Sequence, residues 1–318
     1  MSAPAPKVCV VGSVNMDLAV RAPRIPAPGE TVLGMGYKTS PGGKGANQAV
    51  AAARFGASVA FIGCIGDDAH AARLREALAA ERVDTHGLLT REDKASGLAL
   101  ITIAENGENA IVVAAGANAD LTPEHVARNG HLVREADVLL VQLEVPTTAV
   151  AEAISIAAGA GKAVILNAAP ARALPPDLLR KVDVLVVNRG EASRLLGVEA
   201  VLDPARLALR LPELGPPTAI LTLGAHGAIL AHKGRPRRVN APAVKAVDSV
   251  GCGDAFCGVL ACAWAKVHDA AKRRHADEYP LAEEAVRLAA CAGAIAATRS
   301  GALSAMPTAD EVRAFLSA

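Results

Sequence analysis

Apolar positions in this chain fall into short unbroken runs. KVCVVG (7–12) ends in glycine, and comparable runs recur at 137–143, 163–167, 183–187 and 218–223. Each run adjoins a longer stretch with helical spacing, which predicts buried parallel strands joined by helices on both faces of one sheet. From Val59 to Gly87 the order is strand, then a helix through GDDAHAARLREALAAERV, then a turn. PGGKGANQAVAAARFG (41–56) reads as a Gly-rich turn opening an Ala-rich helix that stops at Gly56. Further helices are expected from the glycines near Gly251 toward Trp264, over 281–297 and over 308–317.

Four segments break this rhythm. Residues 18–22 and 31–40 flank the Pro-rich PRIPAPGE, and 96–103 with 109–114 predict a hairpin around Asn106-Gly107. None alternates with a helix, so together they are expected to form a small four-stranded lid outside the main sheet. Residues 234–246 suggest an irregular strand pair, and 266–280 a charged helix end and loop. No repeat, low-complexity linker or boundary divides the chain. The whole of 1–318 is therefore expected to be one α/β domain, its lid drawn from segments near 13–40 and 96–114.

Composition narrows the possible partners. The formal net charge of +1 supplies no basic field for nucleic acid, and an aromatic share of 2% leaves few stacking platforms. The six cysteines form no C-x-x-C pair and predict buried thiols of a reducing compartment. MSAPAPK lacks the succession of a signal peptide, and charged residues or glycine interrupt every Ala-rich stretch before it could span a membrane. A cytoplasmic protein is the expectation.

Ligands of such sheets bind beyond the carboxyl ends of the strands. Glu144, Asn167, the pair Asn188 and Glu191, and Thr222 with Gly224 all fall there. Singly, each suits a cap or a turn; their recurrence along one edge points to a cleft. Asn15 and Asp17, two apart, share one strand face and suit a polyol's hydroxyls, or else a simple turn. Gly42 and Gly43 permit either a hinge or a close approach to ligand, and Asn47 lies one helical turn on. Lys44 is followed by Gly45, so this is not the phosphate loop G-x-x-x-x-G-K-[ST]. In VDSVGCGDAFCG (247–258), small residues precede Asp254 at a helix start, where free amides attract an anion. Taken alone, the stretch suits either Asp254 as a helix cap or an anion cradle beside a base for phosphoryl transfer.

PGGKGANQAVAAARFGA and DSVGCGDAFCG, with GSVNMDL, GENAIVVAAGAN, LLVQLEVP, NAAPA and NRGEA in this order, resemble the ribokinase branch of the PfkB sugar-kinase family. The likeness runs from about residue 8 to the end. It implies a three-layer α/β/α domain with a mostly parallel sheet and a small β lid closing over a sugar. It implies ATP-dependent phosphorylation of D-ribose at O5, with ATP, Mg²⁺ and K⁺, in a homodimer joined through the lid. Asn15, Asp17, Gly42, Gly43, Lys44, Asn47 and Glu144 match sugar-contacting positions, and Asp254 matches the base. Gly251, Cys252 and Gly253 match the anion hole, the last also touching nucleotide. Asn188, Glu191, Thr222, Gly224 and Gly227 match the nucleotide side, the first two near the phosphates and Mg²⁺. Asp248, Val250, Ala296, Arg299 and Gly301 match a K⁺ site.

The chain departs from the family pattern in three places. Cys252 replaces the usual middle alanine of the anion hole, which puts a thiol open to oxidation or alkylation beside the phosphate. Ala305 stands where a serine usually completes the K⁺ site, with Ser304 one residue early. Residues 266–280 are longer than usual and expected near the adenine pocket. Within the class, another pentose, deoxyribose or a nucleoside are alternative substrates, although GGKGANQ and QLE favour ribose. A non-catalytic sugar-binding regulator would be expected to lose the base or its flanking glycines, and both are kept. An NAD-dependent enzyme would need G-x-G-x-x-G after the first strand, where this chain has Gly12-Ser-Val-Asn.

Overall fold

A computed structural model describes residues 4–106, 108–199, 202–272 and 278–317. Its centre is a nine-stranded sheet in the order β13-β12-β11-β10-β9-β8-β1-β4-β5. These are β1 Lys7–Val11, β4 Ser58–Gly66, β5 Asp84–Arg91, β8 Val138–Val141, β9 Ala163–Asn167, β10 Val184–Asn188, β11 Thr218–Thr222, β12 Ala228–His232 and β13 Arg235–Val239. All neighbours pair in parallel except β11–β12 and β12–β13. The strands alternate their side chains between two cores, as a doubly covered sheet requires. Val8, Val10, Leu140, Ile165 and Val186 pack with the helices Lys44–Arg54, Cys252–Lys272 and Glu278–Ala297. Cys9, Val11, Leu139, Val164 and Val187 pack with Thr147–Gly159 and its neighbours on the other face. This is the expected three-layer α/β/α architecture.

The four segments outside the alternation form a second sheet, β3-β2-β6-β7, from β2 Asn15–Ala22, β3 Gly36–Gly42, β6 Gly97–Ala104 and β7 Asn109–Ala114. Only Gly12, Ser13 and Val14 separate β1 from β2, so the small sheet rises directly from the carboxyl edge of the large one. Gly107, in the expected turn between β6 and β7, lies outside the described residues.

Several expectations need correcting. The turn expected near Gly87 is an edge strand, β5, whose DTHGLLTR lacks the alternation that would have flagged it. Residues 31–35 precede β3 and are not strand. The expected pair within 234–246 is β13 pairing back onto β12, and 240–246 carries no strand. The charged segment also lies elsewhere than expected. The helix Cys252–Lys272 is 21 residues, and therefore ~30 Å long, enough to cross from one sheet edge to the other. His268 Nε2 accordingly meets the Gly161 carbonyl, 3.0 Å away, just before β9 begins. Tyr279 bonds the Arg235 carbonyl beside the amino end of β11. The described parts of 266–280 thus sit at the amino edge, not at a nucleotide pocket beyond the carboxyl ends. Residues 273–277 lie outside the described residues.

Candidate active site

A cavity of about 470 Å³ opens between the carboxyl edge of the large sheet and the inner face of the small one. Its position follows from topology. The chain leaves β1 toward β4 on one side and returns to β8 on the other, and crevices form where strand order reverses. Of the residues singled out in the sequence, Asn15, Asp17, Gly43, Lys44, Asn47, Glu144, Asn167, Asn188, Glu191, Thr222, Gly224, Val250, Gly251, Gly253 and Asp254 line it. Residues far apart in the chain thus share one space.

Asn15 and Asp17 point the same way because both lie on β2 with one residue between them. Ala99, Ile101, Ile111 and Val113 of β6 and β7 continue that inner face. Asn118 Nδ2 donates to Asn15 Oδ1 at 2.8 Å, which leaves the Asn15 amide nitrogen turned toward the cavity. Gly42 does not line the cavity; it lies beneath Asp17, and any side chain there would overlap the Asp17 carboxylate. Gly43 has φ 91°, and a Cβ would press on the Asn15 main-chain nitrogen at 2.8 Å, so only glycine brings the helix Lys44–Arg54 this close to β2. Glu144 Oε2 ties this corner, accepting from Ser13 Oγ at 2.6 Å and the Lys44 amide at 3.1 Å.

Asp254 lies in the first turn of Cys252–Lys272 and is buried. Both its oxygens are held: Oδ2 accepts from Asn47 Nδ2 and Oδ1 from Gln48 Nε2, each at 2.9 Å. Two donated amide hydrogens suit an ionised carboxylate, which can only accept. Among the described residues, the main-chain N–H groups of Gly253 and Asp254 have no acceptor. An added Cβ at Gly253 would meet nothing within 4 Å, so the space over those amides is unfilled. Gly251, with φ 79°, makes the turn that aims them outward. A buried acid beside free helix-start amides can take a proton next to an anion.

Charge is concentrated here. Burial, followed by the Glu144 and Asp254 charges, pushes the Asp17 carboxyl up to about 7. The Asp254 carboxylate, opposed by burial, holds the Lys44 ammonium above its ordinary value. Asn188 and Glu191 cap the helix Arg189–Leu196 reciprocally, Glu191 N–H to Asn188 Oδ1 at 2.9 Å and Asn188 N–H to Glu191 Oε2 at 2.8 Å. They are therefore caps and cavity residues at once, and burial raises the Glu191 carboxyl. Burial, then Asp248 and Asp254, pushes the Cys252 thiol up to about 11. Contrary to expectation, it stays a poorly nucleophilic thiol at neutral pH. Cys252 does not line the cavity, and neither does Gly227, whose turn packs against the Val239 carbonyl.

The Asp248 carboxylate bridges two loops, Oδ1 accepting from Val250 N–H and Oδ2 from Gly301 N–H, both at 3.0 Å. The Asp248 amide reaches the Ala297 carbonyl at 3.2 Å, and the Arg299 amide the Ala296 carbonyl at 3.1 Å. All five residues matched to a cation site therefore gather beside the helix start. Ala305 is fully buried and brings no oxygen, while Ser304 Oγ turns back to the Ser300 carbonyl at 3.3 Å.

Sequence reasoning missed Gln48, Gln142 and Asn118 as site residues. The available signal was a polar residue inside an apolar run: Gln48 among alanines of a buried helix, and Gln142 directly after VLLV.

A model of the pfkB family of carbohydrate kinases matches residues 5–309. The chain is 38% identical over 309 residues to ribokinase of Haemophilus influenzae, covering 96% of this chain and 97% of that one. It is 32% identical to deoxyribokinase of Salmonella typhi, with 98% of each chain covered. Among solved structures, Arabidopsis thaliana ribokinase complexed with ribose and ATP matches with a TM-score of 0.86 at 30% identity, covering 98% of this chain and 99% of that chain.

Proposed function

This chain belongs to the pfkB family of carbohydrate kinases, and from that premise we propose that it transfers the γ-phosphoryl group of ATP to O5 of D-ribose. The observation that carries the proposal is Asp254, held by two amides beside helix-start N–H groups that have no acceptor among the described residues, in a cavity lined by polar side chains. Asp254 takes the proton from the O5 hydroxyl as O5 attacks the γ-phosphorus. The P–O5 bond forms, the bond to the β-bridging oxygen breaks, and ADP leaves with that electron pair. The free amides of Gly253 and Asp254, with that of Gly251 in the turn before them, stabilise charge on the transferring group, whereas the Cys252 amide is already given to the Ser249 carbonyl at 3.4 Å. Asn15, Asp17, Gly43, Lys44, Asn47 and Glu144 hold the sugar, with Gly42 packed beneath Asp17 rather than against the ligand. Asn47 Oδ1 is buried and has no partner among the described residues.

Asn188, Glu191, Thr222 and Gly224 form the nucleotide side, with Gly253 between the two substrates and Gly227 making the turn behind Gly224. Among the described residues no three acids, histidines or cysteines cluster for a metal. Mg²⁺ is commonly carried by phosphates and water with one or two protein groups, and the oxygen-bearing side chains of Glu191 and Asn188, which line the cavity, would hold it. Mg²⁺ bound with ATP neutralises phosphate charge. Main-chain carbonyls of Asp248, Val250, Ala296, Arg299 and Gly301 would hold K⁺, without the side-chain oxygen that Ala305 lacks. The small sheet, segments 13–40 and 96–114, acts as the lid of a single domain and excludes water. We assign the enzyme to the cytoplasm, since all six cysteines are free thiols. Among the described residues, no helix is long and apolar enough to cross a membrane.

ADP release should be measured with ATP and Mg²⁺ on D-ribose, 2-deoxyribose, fructose and adenosine, in K⁺ or Na⁺, with the phosphorylated position read by NMR. The expected result is ribose 5-phosphate, kcat/KM at least ~10-fold higher than for any other sugar, and faster turnover in K⁺. A preference for adenosine or deoxyribose overturns the substrate. Equal rates in both salts overturn the cation site.

The lid also supports a homodimer. Its outer face carries Tyr37 on β3 and the facing pair Leu100 and Val112 on β6 and β7, exposed at 75%, 46% and 67%. Leu33 and Met35 flank them, also exposed. An apolar sheet face of this kind calls for a partner, and a second copy presents the same face about a twofold axis. Light scattering should give twice the 32.3 kDa chain mass, and Val112→Lys should halve it. A wild-type monomer would refute the assignment.

A further inference from the structure

Behind Asp254 runs a buried chain of side-chain amides. Gln142 Nε2 donates to Gln48 Oε1 at 2.7 Å, and Gln48 Nε2 donates to both Asp254 Oδ1 at 2.9 Å and Asn167 Oδ1 at 3.1 Å. Asn167 Nδ2 in turn donates to the Val186 carbonyl at 3.2 Å. Gln48 and Gln142 are wholly buried, and neither lines the cavity.

The direction of every bond follows from the carboxylate. Ionised Asp254 only accepts, so Gln48 must turn its NH₂ toward it. The Gln48 oxygen then faces Gln142, which must turn its own NH₂. Reversing Gln142 would bring two amide oxygens together; reversing Gln48 would set its oxygen against Asp254 and Asn167. The far end carries the cost: Gln142 Oε1 is buried with no partner among the described residues. It fills the space where a side chain on Gly12 would stand, since a Cβ there would overlap it. An orphaned buried acceptor costs ~1–3 kcal/mol, so folding alone would not favour this arrangement over an apolar one.

We propose that Gln142 and Gln48 are positioning residues for the phosphoryl-transfer step: Gln142 fixes Gln48, and Gln48 with Asn47 fixes the plane of the Asp254 carboxylate. The inference rests on Asp254 as the base of the proposed reaction. Turning the carboxyl about Cβ–Cγ would break both amide contacts, so the lone pair that receives the sugar proton is oriented before substrate arrives. Gln142 touches neither Asp254 nor the cavity, so its effect must pass through Gln48.

The test uses Gln142→Met, Gln48→Met and the double variant, with Asp254→Asn alongside. Single-turnover phosphoryl transfer is followed, because product release can mask the chemical step in kcat. Gln142→Met exchanges one orphan, Gln142 Oε1, for another, Gln48 Oε1, so its thermal midpoint should stay near that of wild type. The expected transfer rate falls ~5- to 20-fold in Gln142→Met and ~10- to 100-fold in Gln48→Met, with KM for ribose within twofold of wild type. The double variant should be no slower than Gln48→Met, a coupling that simple loss of packing would not produce. The proposal is overturned if Gln142→Met transfers at the wild-type rate, if the loss appears in KM, or if Gln142→Met slows the Gln48→Met enzyme by its full factor. An active Asp254→Asn would instead sink the base assignment itself; an inactive one beside a normal Gln142→Met sinks only the amide chain.

Discussion

Asp254→Asn should lower the rate of phosphoryl transfer to ribose by ~10²–10⁴-fold while leaving the protein folded and able to bind both substrates. Asparagine keeps the shape of the side chain but cannot take the sugar proton. The substitution is tolerable locally because one neighbour can adapt. Asn47 Oδ1 has no partner among the described residues, so a flipped Asn47 can accept from the new amide while Gln48 still donates to the remaining oxygen. Lys44 responds too, because the Asp254 charge is what chiefly raises it. Without that counter-charge, its ammonium is left more available to an anion, and ATP should bind at least as tightly as in wild type. Single-turnover kinetics with titration calorimetry separate the two effects. Weakened ATP binding with a near-normal transfer rate would mean that Asp254 holds nucleotide rather than acting as the base.

Asp17→Asn should reduce kcat/KM for ribose by ~30- to 1000-fold and at the same time make the ligand-free protein more stable at pH 8. Asp17 is buried on β2 with its carboxyl pushed up to about 7, first by burial and then by Glu144 and Asp254. Its value in an unfolded chain is near the ordinary 3.8, so the folded protein binds more protons between about pH 4 and 7. This group's contribution to stability is therefore present at low pH and is lost as pH rises through that window, by up to roughly 4 kcal/mol. Asparagine removes that loss. Sugar binding runs the other way, because hydroxyl donors favour the ionised form. The wild-type kcat/KM for ribose should accordingly fall as pH drops below about 7, and Asp17→Asn should lack that limb. Thermal melts and kcat/KM across pH 5–9 check both halves. An equally steep limb in the variant, or no gain in midpoint at pH 8, would show that the burial of Asp17 is not what sets either.

Much of this site was legible in the chain because the chemistry is carried by short local motifs. Asn15 and Asp17 share a face by strand geometry alone, and Gly251 through Asp254 announce a helix start by residue type. Strand-end residues Glu144, Asn167 and Asn188 could be placed on one edge because parallel strands share a direction. What failed was non-local. Strand β5 is held as an edge by β4, not by its own pattern. The segment 266–269 lands at the amino edge because a helix of 21 residues carries it there. Cys252 looks reactive from its neighbours in sequence, yet burial and two nearby carboxylates raise it to about 11.

Backbone periodicity and turn chemistry act over a few residues, so element type, the doubly covered sheet and the motif residues are written into local order. The protonation of Asp17 and the polarity of the Gln142–Gln48–Asp254 chain are not. They arise from burial and from contacts such as Gln48 with Asp254, 206 residues apart, and only a folded chain brings those groups within hydrogen-bond distance. Desolvation and charge interaction depend on what surrounds a group in space, and it was the tertiary structure that set those surroundings.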